Sequence, residues 1–308
     1  MIAFFANIFG YILNFIYEFV NNYGIAIIIF SVLIKLLMIP ISIKQQKTMK
    51  KSAKIQEKMK ELQLKYKNNP EKLSQETMEL YKNENMSPFS GCLSSIVQII
   101  LLFAVFYLVR SPLTYMKKVD AGVIEKYTKI INEYQISTNS AYPEIEVIRE
   151  LDNIRNLKNN ENIEQTDEEK TDLAEIKDEE LEQLNLNMEF LGFNLAQVPT
   201  KSSDWKAYII PILYVLVAVL SMKITNPTSP KPKVVENNNE EKALAKAEEE
   251  FDPTAYMNKN MNIMFPFMYL AVALIAPLGL ALYWLMNSLL MIVEKLILNK
   301  LLKDEEEQ

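Results

Sequence analysis

The chain holds 308 residues, 49% of them apolar and 23% charged, with a formal net charge of −6. It has no His and one Cys, Cys92. That excludes a His-ligated metal, a Ser-His-Asp triad, a His acid–base, an intramolecular disulfide and a Cys-cluster metal site. Apolar and charged residues are segregated into long runs, as in a multi-span membrane protein and unlike a soluble globule.

Residues 1–22 are apolar but striped. Asn7, Gly10, Tyr11, Asn14, Tyr17, Glu18 and Asn21 mark one helical face, and Phe4, Phe5, Ile8, Ile12, Phe15, Ile16 and Phe19 the opposite one. The pattern predicts an amphipathic helix lying in the membrane interface. An uncleaved signal sequence is the alternative. It would want a basic n-region and a small-x-small cleavage site, and neither is present; no Cys for lipidation lies nearby.

Five apolar stretches, 23–43, 91–110, 206–222, 261–276 and 277–298, approach the ~20 residues a spanning helix needs. The third and fourth are short. Trp205, Tyr208, Tyr256 and Tyr269 are expected at their interfaces. Pro277-Leu278-Gly279 predicts a tight hairpin between the last two.

Lys and Arg bias sets orientation. Residues 44–90 carry 11 Lys and 6 Glu, net +5, whereas 111–205 carry 10 basic and 20 acidic residues, net −10. The first connection is therefore expected in the cytosol and the second outside. This places the N-terminus outside and the C-terminus in the cytosol, in a bacterial plasma membrane.

Residues 44–90 predict a cytosolic helical hairpin. Lys67-Asn68-Asn69-Pro70 breaks it, with Ile55, Met59, Leu62 and Tyr66 striping one arm and Leu73, Thr77, Leu80 and Tyr81 the other. It is either a solvated connector or a docking element. Lys47, Lys50, Lys51, Lys54 and Lys58 are its candidate contacts with ribosome or lipid headgroups. In 111–205, the spacing of Ile145, Ile148, Leu151, Ile154 and Leu157, and more loosely Leu173, Ile176, Leu181 and Leu184, predicts a short helical pair around an acidic link. A disordered acidic linker is the alternative. On either reading, residues 144–189 are expected to be removable without unfolding the spans. Residues 223–260 form a flexible loop rich in Pro, Asn and Glu, and 299–308 an acidic tail.

Lys35 sits well inside the first span, about 18 Å from its start. A central cation costs roughly 2.5–3.5 kcal/mol on insertion scales. Snorkelling is disfavoured, because helical side chains tilt toward the N-terminus, here outward. Glu294 lies near the end of its span, so Lys35 lacks an obvious ion-pair partner and a wet cavity is expected around it. Ser31, Ser94, Ser95, Gln98, Asn287 and Ser288 could line that cavity. Pro40 frees the Leu36 carbonyl beside it.

Residues Asn22 to Ile28, Lys35 to Pro40 and Lys44-Gln45 resemble the first core span of the YidC/Oxa/Alb membrane protein insertases. Leu62 to Tyr81, Ser87 to Leu93 and Gln98 are similar to that family's hairpin and second span. Met264-Phe265-Pro266 and Pro277 to Trp284 are similar to its closing pair. The resemblance implies an all-α polytopic membrane protein with five core transmembrane helices around a polar groove, open to cytosol and lipid and closed to the outside. It implies a groove cation at Lys35, where relatives most often carry Arg, a residue with fork geometry that Lys lacks. Ser31, Ser94, Gln98, Ser221, Trp284, Asn287 and Ser288 complete the implied groove. Asn287-Ser288 reverses a family pair, Ser221 replaces a frequent Gln, no lipobox precedes the first helix, and the tail is acidic where many relatives end basic.

The function implied is insertion of nascent membrane proteins into the bilayer, with a polar flank held near Lys35 and the apolar helix leaving into lipid. No catalytic residue, cofactor or specific nucleic acid is expected, and no Gly-rich phosphate loop is present. A Sec translocon and the ribosome are candidate partners. The alternatives are an ion or solute transporter using Lys35, which should show internal repeats and paired broken helices, and a membrane-anchored scaffold using the hairpin.

Overall fold

The computed structural model describes residues 1–67, 69–84, 90–134, 136, 141–159, 176–225 and 266–304, and these are almost entirely helical. Helix α1 (Ile2–Val20) ends where Asn21 turns left-handed at φ 45°. Asn22 then caps α2 (Tyr23–Lys65) by accepting from the Ile25 amide. The change in composition at Lys44 does not break α2. It runs 43 residues through Pro40, about 64 Å, as span and hairpin arm in one rod.

The hairpin folds as its stripes predict. Helix α3 (Pro70–Asn83) begins at Pro70 behind an Asn69 cap. It packs back on α2 with Ile55 buried and Met59, Leu62, Tyr66, Leu73, Thr77, Leu80 and Tyr81 half-buried. Tyr66 donates to Glu76 at 3.2 Å, and Lys58 pairs with Glu84 at 2.5 Å. Helix α4 (Ser90–Arg110) follows, then a π-helical turn over Leu113–Lys117.

The described residues of 121–201 form a packed layer, which includes the helices that the spacing predicts and adds others: α5 (Ala121–Glu133), which the sequence reading did not foresee, α6 (Pro143–Arg149), α7 (Leu151–Asn159), α8 (Asp178–Leu184) and a two-stranded hairpin, β1 (Glu189–Phe190) with β2 (Phe193–Asn194). The acidic link and Leu173 fall in 160–175, outside the described residues. Ile145, Ile148, Leu151 and Ile154 are buried as their spacing predicts. With Tyr127, Ile131, Leu181, Leu184 and Met188 they join one core with Leu13, Tyr23, Phe30, Leu108 and Leu278. Removal of 144–189 would therefore open the core, not trim a loop.

This layer is stitched to the ends of the long helices. The Tyr23 amide donates to Asn187 O at 2.9 Å, and the Leu278 and Gly279 amides donate to Gln197 O and Leu195 O, each at 2.8 Å. These are helix N-terminal donors that would otherwise lack partners. Gly24 is needed for the approach of the β-hairpin, since a Cβ there would lie 2.5 Å from the Phe190 ring.

Helix α9 (Ile209–Thr225) follows a 3-10 turn at Trp205–Tyr208. Helix α10 spans Pro266–Ile275, and after the predicted tight turn at Pro277 comes α11 (Leu278–Asp304). Trp205 is exposed at the head of α9, and Tyr269 is half-buried and packs on Tyr214, with ring centroids 6.0 Å apart. Tyr256 lies outside the described residues.

Among the described residues, Ile2–Val20, Tyr23–Ser52, Trp205–Ile224 and Leu278–Leu301 are each long and apolar enough to cross a membrane, with shorter apolar helices at Ile99–Arg110 and Pro266–Ile275. Their outward faces carry Leu36, Leu37, Leu102, Phe103, Leu216, Phe267, Val293 and Leu296, all exposed. Unpaired apolar surface on this scale, with the backbone closed in helices, makes a multi-pass membrane protein.

Helix α1 has three sectors instead of two. Ala6, Phe9, Gly10, Leu13, Ile16 and Tyr17 face the protein, so Gly10 and Tyr17 leave the expected polar face and Ile16 the expected apolar one. Phe4, Ile8, Tyr11, Phe15 and Phe19 face outward, and Asn7, Asn14 and Glu18 form a narrow polar strip. Along this helix, Lys118 donates to Asn7 at 2.6 Å and Lys117 lies over the Tyr17 ring. A Cβ on Gly10 would meet the Tyr115 carbonyl at 1.8 Å. Helix α1 thus runs across segment 113–118, just past the end of α4.

Candidate functional site

Helices α2 and α11 run side by side in the same direction, from Tyr23 beside Gly279 to Gln46, whose amide donates to Asn299 at 2.7 Å. Between these points Lys35 meets Glu294. Its Nζ lies 2.7 Å from Oε2, with the two side chains only 20% and 13% exposed. This corrects the expectation that Lys35 has no ion-pair partner. Glu294 is near the end of its apolar run in sequence, but α11 continues to Asp304 and turns the carboxylate inward. Lys35 does not need water to offset its charge; Glu294 does so directly. The pair follows the general rule that buried charges are paired, and breaking such a pair from one side costs about 3–5 kcal/mol.

The pair is incompletely satisfied. Glu294 Oε1 is enclosed and has no hydrogen-bond partner among the described residues. Ser31, one turn before Lys35, is buried but donates to the Ile27 carbonyl at 2.7 Å, so its hydroxyl proton is not aimed at the pair.

The other predicted groove residues divide. Ser221 of α9 is buried, its hydroxyl 3.6 Å from the sulfur of Met291, one turn before Glu294. Ser288 is buried and Asn287 half-buried on the same helix. Trp284 packs on Tyr214 at 5.7 Å. Ser94 and Gln98 lie on α4, and their side chains, like that of Ser95, are outside the described residues. The structure therefore brings Lys35, Ser31, Ser221, Asn287 and Ser288 to the helices that meet around α11.

Glu294 is the residue that sequence reasoning missed. Its signal was present: Trp284, Asn287, Met291, Glu294 and Leu298 follow a 3-4-3-4 spacing, one stripe of a packed helix. A carboxylate on that stripe faces the bundle.

The five candidate hairpin lysines line the proximal part of that arm. Lys47, Lys51, Lys54 and Lys58 are exposed, Lys50 is half-buried, and Lys58 is held by Glu84.

A family model described as 60Kd inner membrane protein matches residues 15–306. Among curated proteins, the chain is 48% identical over 102 residues to a membrane protein insertase YidC of Chlorobaculum tepidum, covering 33% of this chain and 17% of that one. It is 43% identical over 102 residues to the YidC of Caldanaerobacter subterraneus subsp. tengcongensis, covering 33% and 50%. It is 51% identical over 94 residues to that of Syntrophus aciditrophicus, covering 30% and 17%. The matched segments span at most half the length of these relatives. The family match covers nearly the whole chain, which folds as a helical membrane bundle; the chain belongs to the 60Kd inner membrane protein family, the YidC/Oxa/Alb group.

Proposed function

We propose that the chain is a membrane protein insertase that passes apolar segments of nascent proteins from the cytosol into lipid. The observation that carries this reading is a half-buried cation, Lys35, in helices whose outer surfaces are apolar and exposed. A client's polar flank passes along Lys35, Ser31, Ser94, Gln98, Ser221, Trp284, Asn287 and Ser288. Its apolar helix moves onto the lipid-facing surface, where burial of about 20 apolar residues drives the end state. The mechanism is physical and forms no covalent intermediate. The layer over 121–201, bonded to the N-terminal ends of α2 and α11, supports a bundle closed on that side.

The orientation we infer puts that layer outside the cell, the hairpin and C-terminus in the cytosol, and α1 in the outer interface with the exposed Asn7 and Glu18 of its polar strip in water. The hairpin lysines then face ribosomes and anionic lipid headgroups, and a Sec translocon is a candidate partner.

The test is reconstitution of the full chain into proteoliposomes with single-span clients, read by protease protection of the translocated flank. Protection above that of empty liposomes supports the reading, and protection equal to empty liposomes sinks it. Solute flux without client protection would favour a transporter instead.

A further inference from the structure

We propose that Glu294 is a resident competitor for Lys35: it occupies the cation when no client is present, and a client carboxylate must exchange with it. This rests on the insertase reading and adds the residue that sets how strongly acidic flanks are favoured.

The geometry supports an exchangeable pair in place of a fixed strut. One oxygen of Glu294 contacts Lys35 at 2.7 Å, while the other is enclosed without a partner among the described residues. A carboxylate accepts about four hydrogen bonds and an ammonium donates three, so among the described residues both groups have capacity left over. Ser31, the nearest hydroxyl by helical spacing, donates to Ile27. A saturated network would resist exchange; among the described residues this pair is not saturated.

The two helices do not depend on the pair to stay together. They also lie against each other where Tyr23 sits beside Gly279, and they are bonded farther along from Gln46 to Asn299. Opening the ion pair between two anchored points requires side-chain rotation, not separation of α2 from α11.

Electrostatics fixes the consequence. A bare ammonium among apolar helices is costly, and Glu294 removes that cost in the empty protein. An incoming Asp or Glu takes over the contact with Lys35, and Glu294, which stays on α11, must rotate its carboxylate away, so the exchange sets the two carboxylates in direct competition. A neutral flank has no group to exchange and passes with the pair closed. Preference for acidic flanks is thus the difference between two carboxylates competing for one cation, and weakening the resident one raises it.

The experiment uses the full chain in proteoliposomes and two clients that differ only in Asp against Asn in the translocated flank. The readout is the ratio of their protected fractions. Glu294→Gln raises the acidic-to-neutral ratio about fivefold. Lys35→Gln lowers it below wild type. The swap Lys35→Glu with Glu294→Lys restores a resident pair and returns the ratio toward wild type. An unchanged or lower ratio in Glu294→Gln, with Lys35→Gln still lowering it, overturns the competitor role and leaves the insertase reading standing. If Glu294→Gln does not accumulate in the membrane, Glu294→Asp takes its place: the shorter side chain weakens the pair and the ratio rises by a smaller factor, and no rise overturns the proposal. Wild type that protects neither client fails the insertase reading itself.

Discussion

The carboxylate of Glu144 clamps Thr114 twice, accepting from its hydroxyl at 2.6 Å and from its backbone amide at 3.0 Å. The contact joins α6 to the π-helical turn after α4, and Glu144 is 6% exposed. Burial raises its carboxyl above the ordinary range, with the bonds from Thr114 opposing. Folding therefore favours the neutral acid. Its contribution is fully present below the ordinary carboxylate range and is lost as pH rises through the elevated folded-state value. Thermal stability in detergent should increase on acidification from neutral pH, and Glu144→Gln should flatten that part of the profile. Glu144→Ala should cost about 1 kcal/mol at neutral pH, because it removes both hydrogen bonds to Thr114, whose own donors are exposed and can turn to water.

The β-hairpin offers a steric test of the cap. Gly24→Val places side-chain atoms in the Phe190 ring and should destabilise by about 1–3 kcal/mol. Phe190→Ala should relieve part of that loss in the double variant, giving clear non-additivity in thermal midpoints. Deletion of 144–189 removes Ile145, Ile148, Leu151, Ile154 and Met188 from the shared core, so membrane accumulation should fall sharply.

Charge at position 35 should matter through Glu294. Lys35→Arg keeps a cation within reach and should preserve accumulation and most insertion. Lys35→Glu sets two carboxylates against each other in a withdrawn site, so it should reduce protein abundance as well as activity. Lys35→Glu with Glu294→Lys should recover abundance, as quantitative immunoblotting of membranes would show.

Hairpin electrostatics can be separated from topology. Reversing Lys47, Lys51 and Lys54 should weaken salt-sensitive binding to anionic liposomes or ribosome–nascent-chain complexes more than reversing Lys60, Lys65, Lys67 and Lys72 does. Lys65 and Lys72 already sit over the Tyr66 ring at 5.2 and 5.4 Å. Loss of 304–308 should change binding least, and an effect as large as either reversal would reassign the contact to the tail.

Local chemistry was legible in the sequence by itself. Apolar runs, the break at Asn69-Pro70, the tight turn at Pro277 and the stripes of the hairpin each depend on neighbours within one or two turns. Periodicity reports such neighbours directly. Only the tertiary structure decided what those elements meet. Lys35 and Glu294 come from opposite ends of the chain, and their contact depends on the rotation and register of two separate helices. The acidic segment was read as a short helical pair around a link, with a disordered linker as the alternative, because its charges separate its apolar residues into short stripes. Yet Tyr127, Ile131, Ile154, Leu184 and Met188 find a surface in the bundle ends that no local pattern describes. Helix α1 shows the same limit. Amphipathicity separates apolar from polar faces, but lipid and protein are both apolar, so only packing against α4 and the 113–118 segment distinguishes the face of Phe15 and Phe19 from that of Leu13 and Ile16.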